Sequence, residues 1–471
     1  MNKIKTWLVC IALVVCCSFQ WNRLAGNFKF VSHPQPLKGS IHPLSPVTTG
    51  GDSPLGVRGE RRIFKLPANF SFSEDDWGFF AHREINKTAV FTLPPELIIF
   101  YKNHIKYITD HAIDPDKRRY ASPYEAVRHY LDLDVYGEPP FDNVPRYWTD
   151  ALMAYSDIFV LSGRDTFLLI DFEERQVSDT FKMGHDFSSD SLKLSYQLFP
   201  NIQISKDTFR SFFIQNIVRN YYNDFLAFPC DSLSKLTGIP LEKLNCDTLI
   251  GVDHLSEHGI LPWHLVRMQR NLTEAFEEKD ALKIMRLSAD FGHYIADAHV
   301  PLHTTENYNG QLTGQKGIHA FWETRLPQLF FEGYDLWVGK AQYIENPTEY
   351  FWDIILESHS YVDSVLLIEK DLRETLPPDQ LYCFEERYGN MAQIECREFS
   401  RIYHERMNGM VEERLRKAIL AVGSAWYSAW WEAGQPDMRD LLDKDFVANS
   451  GQDSVELDTK FQLGKIFGRK H

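Results

Sequence analysis

The chain has no surplus of positive charge. Its 50 Lys and Arg stand against 65 Asp and Glu, a formal net charge of -15. That balance excludes a generic basic surface for gripping phosphate backbones, so a polyanion must be met by a local site. A long hydrophobic run is missing too: the apolar stretch inside MNKIKTWLVCIALVVCCSFQ, at about a dozen residues, is too short for a comfortable membrane span. No two cysteines stand at the CxxC spacing of a structural zinc clip. Internal repeats are absent, and alternating apolar and polar patterns are few, which argues against a β-sandwich or barrel.

What is present points to an exported globular protein. At 471 residues, 44% of them hydrophobic and 14% aromatic, the chain can bury a substantial core, and its length allows two or three domains. Lys3 and Lys5 ahead of the short apolar run make residues 1–20 a signal peptide; loss of this segment removes two lysines and no acid, leaving the chain more negative still. Lipid attachment through Cys16 or Cys17 is the alternative, but the residues before each fit a lipoprotein cleavage site poorly. The destination is then periplasmic, cell-surface or secreted. The remaining cysteines agree: Cys230 with Cys246 and Cys383 with Cys396 is the economical disulfide pairing.

Residues 21–76, rich in Pro, Gly and Ser, read as a linker, and 441–471 as a polar tail. Between them, from 77 to 440, the dominant period is helical, so the expected fold is all-α, a single multi-helix domain. Ser122, Pro123 and Glu125 form a capping box opening a helix that carries His129. YWTDALMAYSDIFVL and the long run from EFSRIYHERMN to AWWEAG are expected to be one helix each. The tryptophans Trp426, Trp430 and Trp431 are expected in the core.

One stretch stands apart. ADFGHYIADAHVPLH, residues 289–303, concentrates histidines and aspartates in an otherwise apolar run. On a helix His293 and Asp297 leave the same face and form a two-ligand clip. Pro301 ends the hydrogen-bond ladder, so that His303 can swing back over the helix end. His299, about 240° round from His293, is expected to pack rather than ligate. A second clip, His319 with Glu323, follows in GIHAFWETRLP. Carboxylates on such apolar segments are costly to bury unless a divalent cation offsets them.

These runs, HYIADAHVPLH and HAFWE, together with DWGFFAHREIN, DPDKRR and RHYLDLD upstream, resemble the zinc-dependent phospholipase C and single-strand-specific nuclease superfamily. The resemblance implies an all-helical domain around three zinc ions. Asp116, His129, His293 and Asp297 would hold one ion, His303, His319 and Glu323 a second, and Trp77, His82 and the shared Asp297 the third. Asp114, across Pro115, competes with Asp116 for its place. In the relatives the tryptophan is the first residue of the mature chain and ligates through its free amino group. Here either a second cleavage falls between Asp76 and Trp77, or the third site is weaker.

Zinc with N and O ligands and an open position lowers the pKa of its water to near neutrality, giving a hydroxide that attacks phosphorus. The resemblance makes Asp116 the residue that orients this water. Arg119, with Arg118 as rival, would neutralise the developing charge. The expected activity is that of a phospholipase C-like phosphodiester hydrolase, with a phospholipid substrate and hence a membrane surface as partner. The alternative is a nuclease, with Tyr130 stacking on a base. A third reading is a binding protein with structural zinc, against which the cysteine-free ligand set speaks.

Overall fold

The computed structural model describes residues 79–122, 124–170, 191–193, 203–218, 227–387, 390–442 and 457–461. All of them lie in the unit Ala68–His471. The segments expected as signal peptide and linker, and Trp77, lie outside the described residues.

The described chain is mostly α-helical. Its helices include α1 (Phe79–Ala89), α2 (Pro95–Asn103), α3 (Ile105–Asp110), α4 (Asp114–Arg118), α5 (Trp148–Ala154), α6 (Lys206–Asn216), α7 (Asp231–Thr237), α8 (Leu261–Glu278) and α9 (Ala281–Ala298). After these come α10 (Pro347–Ser360), α11 (Val362–Thr375), α12 (Arg397–Arg406) and α13 (Met410–Glu432). The hub is α9. Asp280 caps its start, its side chain accepting from the Lys283 amide at 3.1 Å, and from Phe291 to Ala298 every residue is buried. The carboxyl-terminal half of α9 is buried on every side, and α1, α8 and α13 pack against the helix. Trp426 of α13 stacks on Tyr101 at 4.8 Å and donates to the Ser288 carbonyl of α9 at 3.1 Å. Trp430 is buried as well, while Trp431 is 44% exposed.

All-α is too narrow a description. The run expected as one helix, YWTDALMAYSDIFVL, stops at Ala154 and continues as β1 (Ser156–Ser162). It pairs with β2 (Asp165–Ile170), and short strands follow at β3 (Ser191–Lys193), β4 (Gln203–Ser205), β5 (Ala227–Phe228) and β6 (Thr248–Asp253). One antiparallel sheet has the order β2-β1-β6-β5, and β3 pairs with β4 separately. Ile158 and Val160 face Gly251 and Leu249 across the ladder. They close a second core with Leu152, Phe209 and Phe213. The β-branched side chains at alternate positions decide for strand over helix once that core exists to receive them.

Two further expectations give way. Ser122 and Glu125 do not cap an α-helix: the segment makes a single 3₁₀ turn, Ala126–Arg128, and Glu125 is buried. The run from Glu398 to Gly434 is broken between α12 and α13, where Asn408 and Gly409 adopt φ of 51° and 82°. Two successive left-handed residues cannot continue a right-handed helix. Both cysteine pairs join as expected. Cys230–Cys246 closes a 16-residue separation beside β6, and Cys383–Cys396 closes the hairpin of β7 (Tyr382–Arg387) and β8 (Asn390–Glu395). Part of the segment expected as a polar tail is helical, at 457–461; there Phe461 packs on Phe79 and Tyr120. No described helix is long and apolar enough to cross a membrane.

The approach of α1 to α9 is set by Gly292. A Cβ there would meet the Asn86 amide oxygen at 1.9 Å, while the Asn86 nitrogen donates to the Ala289 carbonyl at 3.0 Å. Asn86 is one turn beyond His82 on α1. Gly292→Ala must therefore displace the Asn86 amide and disturb its bond to Ala289. We expect a loss of about 1–3 kcal/mol from overpacking, read as a lower urea midpoint; an unchanged midpoint would show that Asn86 yields freely.

Candidate metal centre

Several segments converge on the carboxyl-terminal half of α9. His293 and Asp297 stand one turn apart on its buried face, with Nε2 and Oδ2 3.4 Å apart. Pro301 starts a 3₁₀ turn, Pro301–Thr304, which carries His303 back over the helix end, its Nε2 3.9 Å from Asp297 Oδ1. The Leu131 amide donates to the His303 carbonyl at 2.9 Å, and His303 Nδ1 donates to the His129 carbonyl at 2.6 Å. This double link places His129, whose Nδ1 lies 2.9 Å from Asp297 Oδ2.

The second clip forms at a change of helical pitch. Gly317, at φ 100°, opens a short helix, Ile318–Ala320, that widens into a π turn, Phe321–Arg325; such turns often mark functional positions. His319 Nε2 comes to 2.8 Å from Glu323 Oε2, with His303 Nε2 at 3.5 Å from the same oxygen. Asn309 holds this segment in place, its side-chain oxygen accepting from the Gly317 amide at 2.9 Å. From α1, His82 Nε2 reaches Glu323 Oε1 at 3.2 Å and Asp297 Oδ1 at 3.5 Å, and its ring stacks on His293.

The competing assignments separate by position. Asp116 Oδ1 is 3.8 Å from His293 Nε2 and 3.9 Å from His129 Nδ1, whereas Asp114 pairs with His111 at 2.6 Å. Arg119 is buried and its guanidinium lies 3.6 Å from Asp116 Oδ1; Arg118 instead pairs with Asp290 at 3.0 Å. His299 bonds back to the Ile295 carbonyl of its own helix at 2.7 Å. Tyr130 is 6% exposed, Gly259 lies against its ring, and its hydroxyl donates to the Glu257 carbonyl. Its position is that of a packing residue.

His82 with His293 and Asp297, Asp116 with His129 and His293, and His303 with His319 and Glu323 are three groups whose ligand atoms lie within 4.8 Å of one another. They could hold metal ions. Backbone carbonyls fix the rings for it. Nδ1 of His293, His303 and His319 donates to Ala112, His129 and Tyr308, which directs Nε2 into the cluster. Electrostatics favour a cation. Burial lifts the Asp297 carboxyl well above its ordinary range, and Asp116 and Glu323 push it the same way. Burial also raises Asp116, against the pull of His82 and Arg119. For Glu323 burial is outweighed by the rings of His303, His319 and His82, which hold it well below the usual carboxylate range. Burial, with His82 alongside, keeps His293 neutral. Crowded carboxylates and neutral imidazoles are a donor set that a divalent cation satisfies.

No family model matches the chain. No curated protein and no solved structure matches it either. The chemistry has to be read from the site itself. Sequence reasoning passed over Asn309 and the Tyr308 carbonyl, which hold the His319 segment, and Tyr294, whose only sequence signal was adjacency to His293; Glu125 was read only as part of a helix cap.

Proposed function

We propose that the protein is an exported, zinc-dependent phosphodiester hydrolase with phospholipase C-like activity, built as a single mostly helical domain around three zinc ions. The observation that carries this reading is the convergence of His82, Asp116, His129, His293, Asp297, His303, His319 and Glu323 on one buried cluster without a cysteine. Structural zinc sites are usually closed, cysteine-rich tetrahedra; a pure N and O set with a central carboxylate suits turnover. Asp116, His129, His293 and Asp297 would hold one ion, and His303, His319 and Glu323 another. His82 and Asp297 would serve the third; Trp77, expected to complete it, lies outside the described residues.

Bound zinc supplies Lewis acidity to the phosphoryl group and brings the pKa of water towards neutrality. The chain's own residues do the rest. Asp116, with 18% of its side chain exposed, is the most open carboxylate of the cluster and orients the attacking water. Arg119, steadied by Asp116, neutralises the charge that develops on the phosphoryl oxygens. The net charge of -15 and the covered Tyr130 ring favour a zwitterionic phospholipid over single-stranded nucleic acid. The two disulfides are compatible with an extracellular location.

The test is hydrolysis of phosphatidylcholine vesicles, single-stranded DNA and bis-p-nitrophenyl phosphate by the purified protein, with and without chelator. Chelator-sensitive release of phosphocholine is expected. Cleavage of the DNA alone would move the protein to the nuclease branch, and no turnover of any substrate would leave a zinc-binding protein without catalysis.

A further inference from the structure

His129 is set in the cluster the opposite way round from the histidines described above. His293, His303 and His319 give Nδ1 to backbone carbonyls and face the cluster with Nε2. His129 faces it with Nδ1, 2.9 Å from Asp297 Oδ2 and 3.2 Å from His293 Nε2. Its Nε2 lies 3.9 Å from Glu125 Oε1. Glu125 is itself buried, with 3% of its side chain exposed, and firmly held. Oε1 accepts from the Tyr294 hydroxyl, Oε2 from Arg128 at 2.7 Å, and Arg118 Nε stands 3.5 Å away. The Tyr294 ring meets the His129 ring edge to face, with centroids 5.2 Å apart.

We propose that Glu125 is a positioning residue for the metal centre: its negative charge, 3.9 Å behind the ring, favours the His129 proton on Nε2 and would leave the Nδ1 lone pair for an ion. The inference rests on the reading of His129 as a zinc ligand. A carboxylate behind a ligating imidazole fixes its tautomer and raises its basicity, and loss of such a partner costs about 10–100-fold in metal affinity. Tyr294 and Arg128 donate to the two oxygens of Glu125 separately; a glutamine can accept from Arg128 and donate to the Tyr294 oxygen, so it keeps the shape and removes the charge.

The experiment compares the full-length wild type with Glu125→Gln and Tyr294→Phe. Zinc affinity is measured by competition with a chromophoric chelator, the ligand field by cobalt(II) absorption, and folding by the melting temperature of the metal-stripped protein. Glu125→Gln should weaken one ion by about 10–100-fold and shift the cobalt bands, while the metal-stripped melting temperature changes little. A purely structural role would lower that temperature and leave affinity and spectrum alone, which would overturn the proposal. If Glu125→Gln fails to fold, Tyr294→Phe decides, because it loosens Oε1 without removing the carboxylate; it should weaken the same ion, and wild-type affinity there would overturn the role. A wild type that binds no zinc would sink the metal reading itself, whereas a wild type that binds zinc alongside variants equal to it would sink only the positioning role.

Discussion

Asp297→Asn is expected to lose two metal ions at once, whereas His319→Ala loses mainly one. The two oxygens of Asp297 point to different partners: Oδ2 is 2.9 Å from His129 and 3.4 Å from His293, and Oδ1 is 3.5 Å from His82 and 3.9 Å from His303. An amide keeps the shape but removes the charge and turns one ligand oxygen into a donor, so neither ion retains its carboxylate. Within the cluster His319 pairs with Glu323 at 2.8 Å and meets the His303 ring edge to face. Hydrolysis by Asp297→Asn should fall by more than about 10³-fold, beyond the cost of one missing charge-stabilising group. Elemental mass spectrometry of both variants checks the metal half of this expectation. Equal zinc losses would remove Asp297 from its central place.

Arg119→Ala carries the second large effect. Its guanidinium is buried beside Asp116 at 3.6 Å, within reach of whatever Asp116 orients, and loss of one preorganised donor to a developing oxyanion costs about 10²–10³ in kcat. Arg119→Lys should restore only part of it, because an ammonium lacks the planar fork that matches phosphate. Arg118 faces Asp290 and Glu125 instead; Arg118→Ala should lower the melting temperature more than it lowers kcat. Steady-state kinetics on bis-p-nitrophenyl phosphate separates them. Wild-type kcat in Arg119→Ala, or matching losses in both alanine variants, would take the transition-state role away from Arg119.

The ligand-type residues were legible because their chemistry is local. The i, i+4 spacing of His293 with Asp297 and the helix break at Pro301 are short-range facts, and the structure puts these residues and His303 together by that route. Asp116 over Asp114, and Arg119 over Arg118, could not be read from spacing, since adjacent candidates differ only in which tertiary partner they meet. The four-stranded sheet was missed for a related reason: YSDIFVL satisfies a buried helix as well as a strand until β6 arrives about ninety positions later to pair with it. Glu125 shows the limit most clearly. Its place three residues after Ser122 is a sound helix-start signal, yet Tyr294 and Arg128 claim its carboxylate and the helix does not form. Local propensity loses where a buried polar network offers a better partner.

The most direct test of the metal centre is zinc-edge anomalous diffraction from crystals of the natively exported protein. The account predicts anomalous peaks within the three groups of His82, His293 and Asp297, of Asp116, His129 and His293, and of His303, His319 and Glu323. Zinc-supplemented crystals with no peak among these side chains would contradict it.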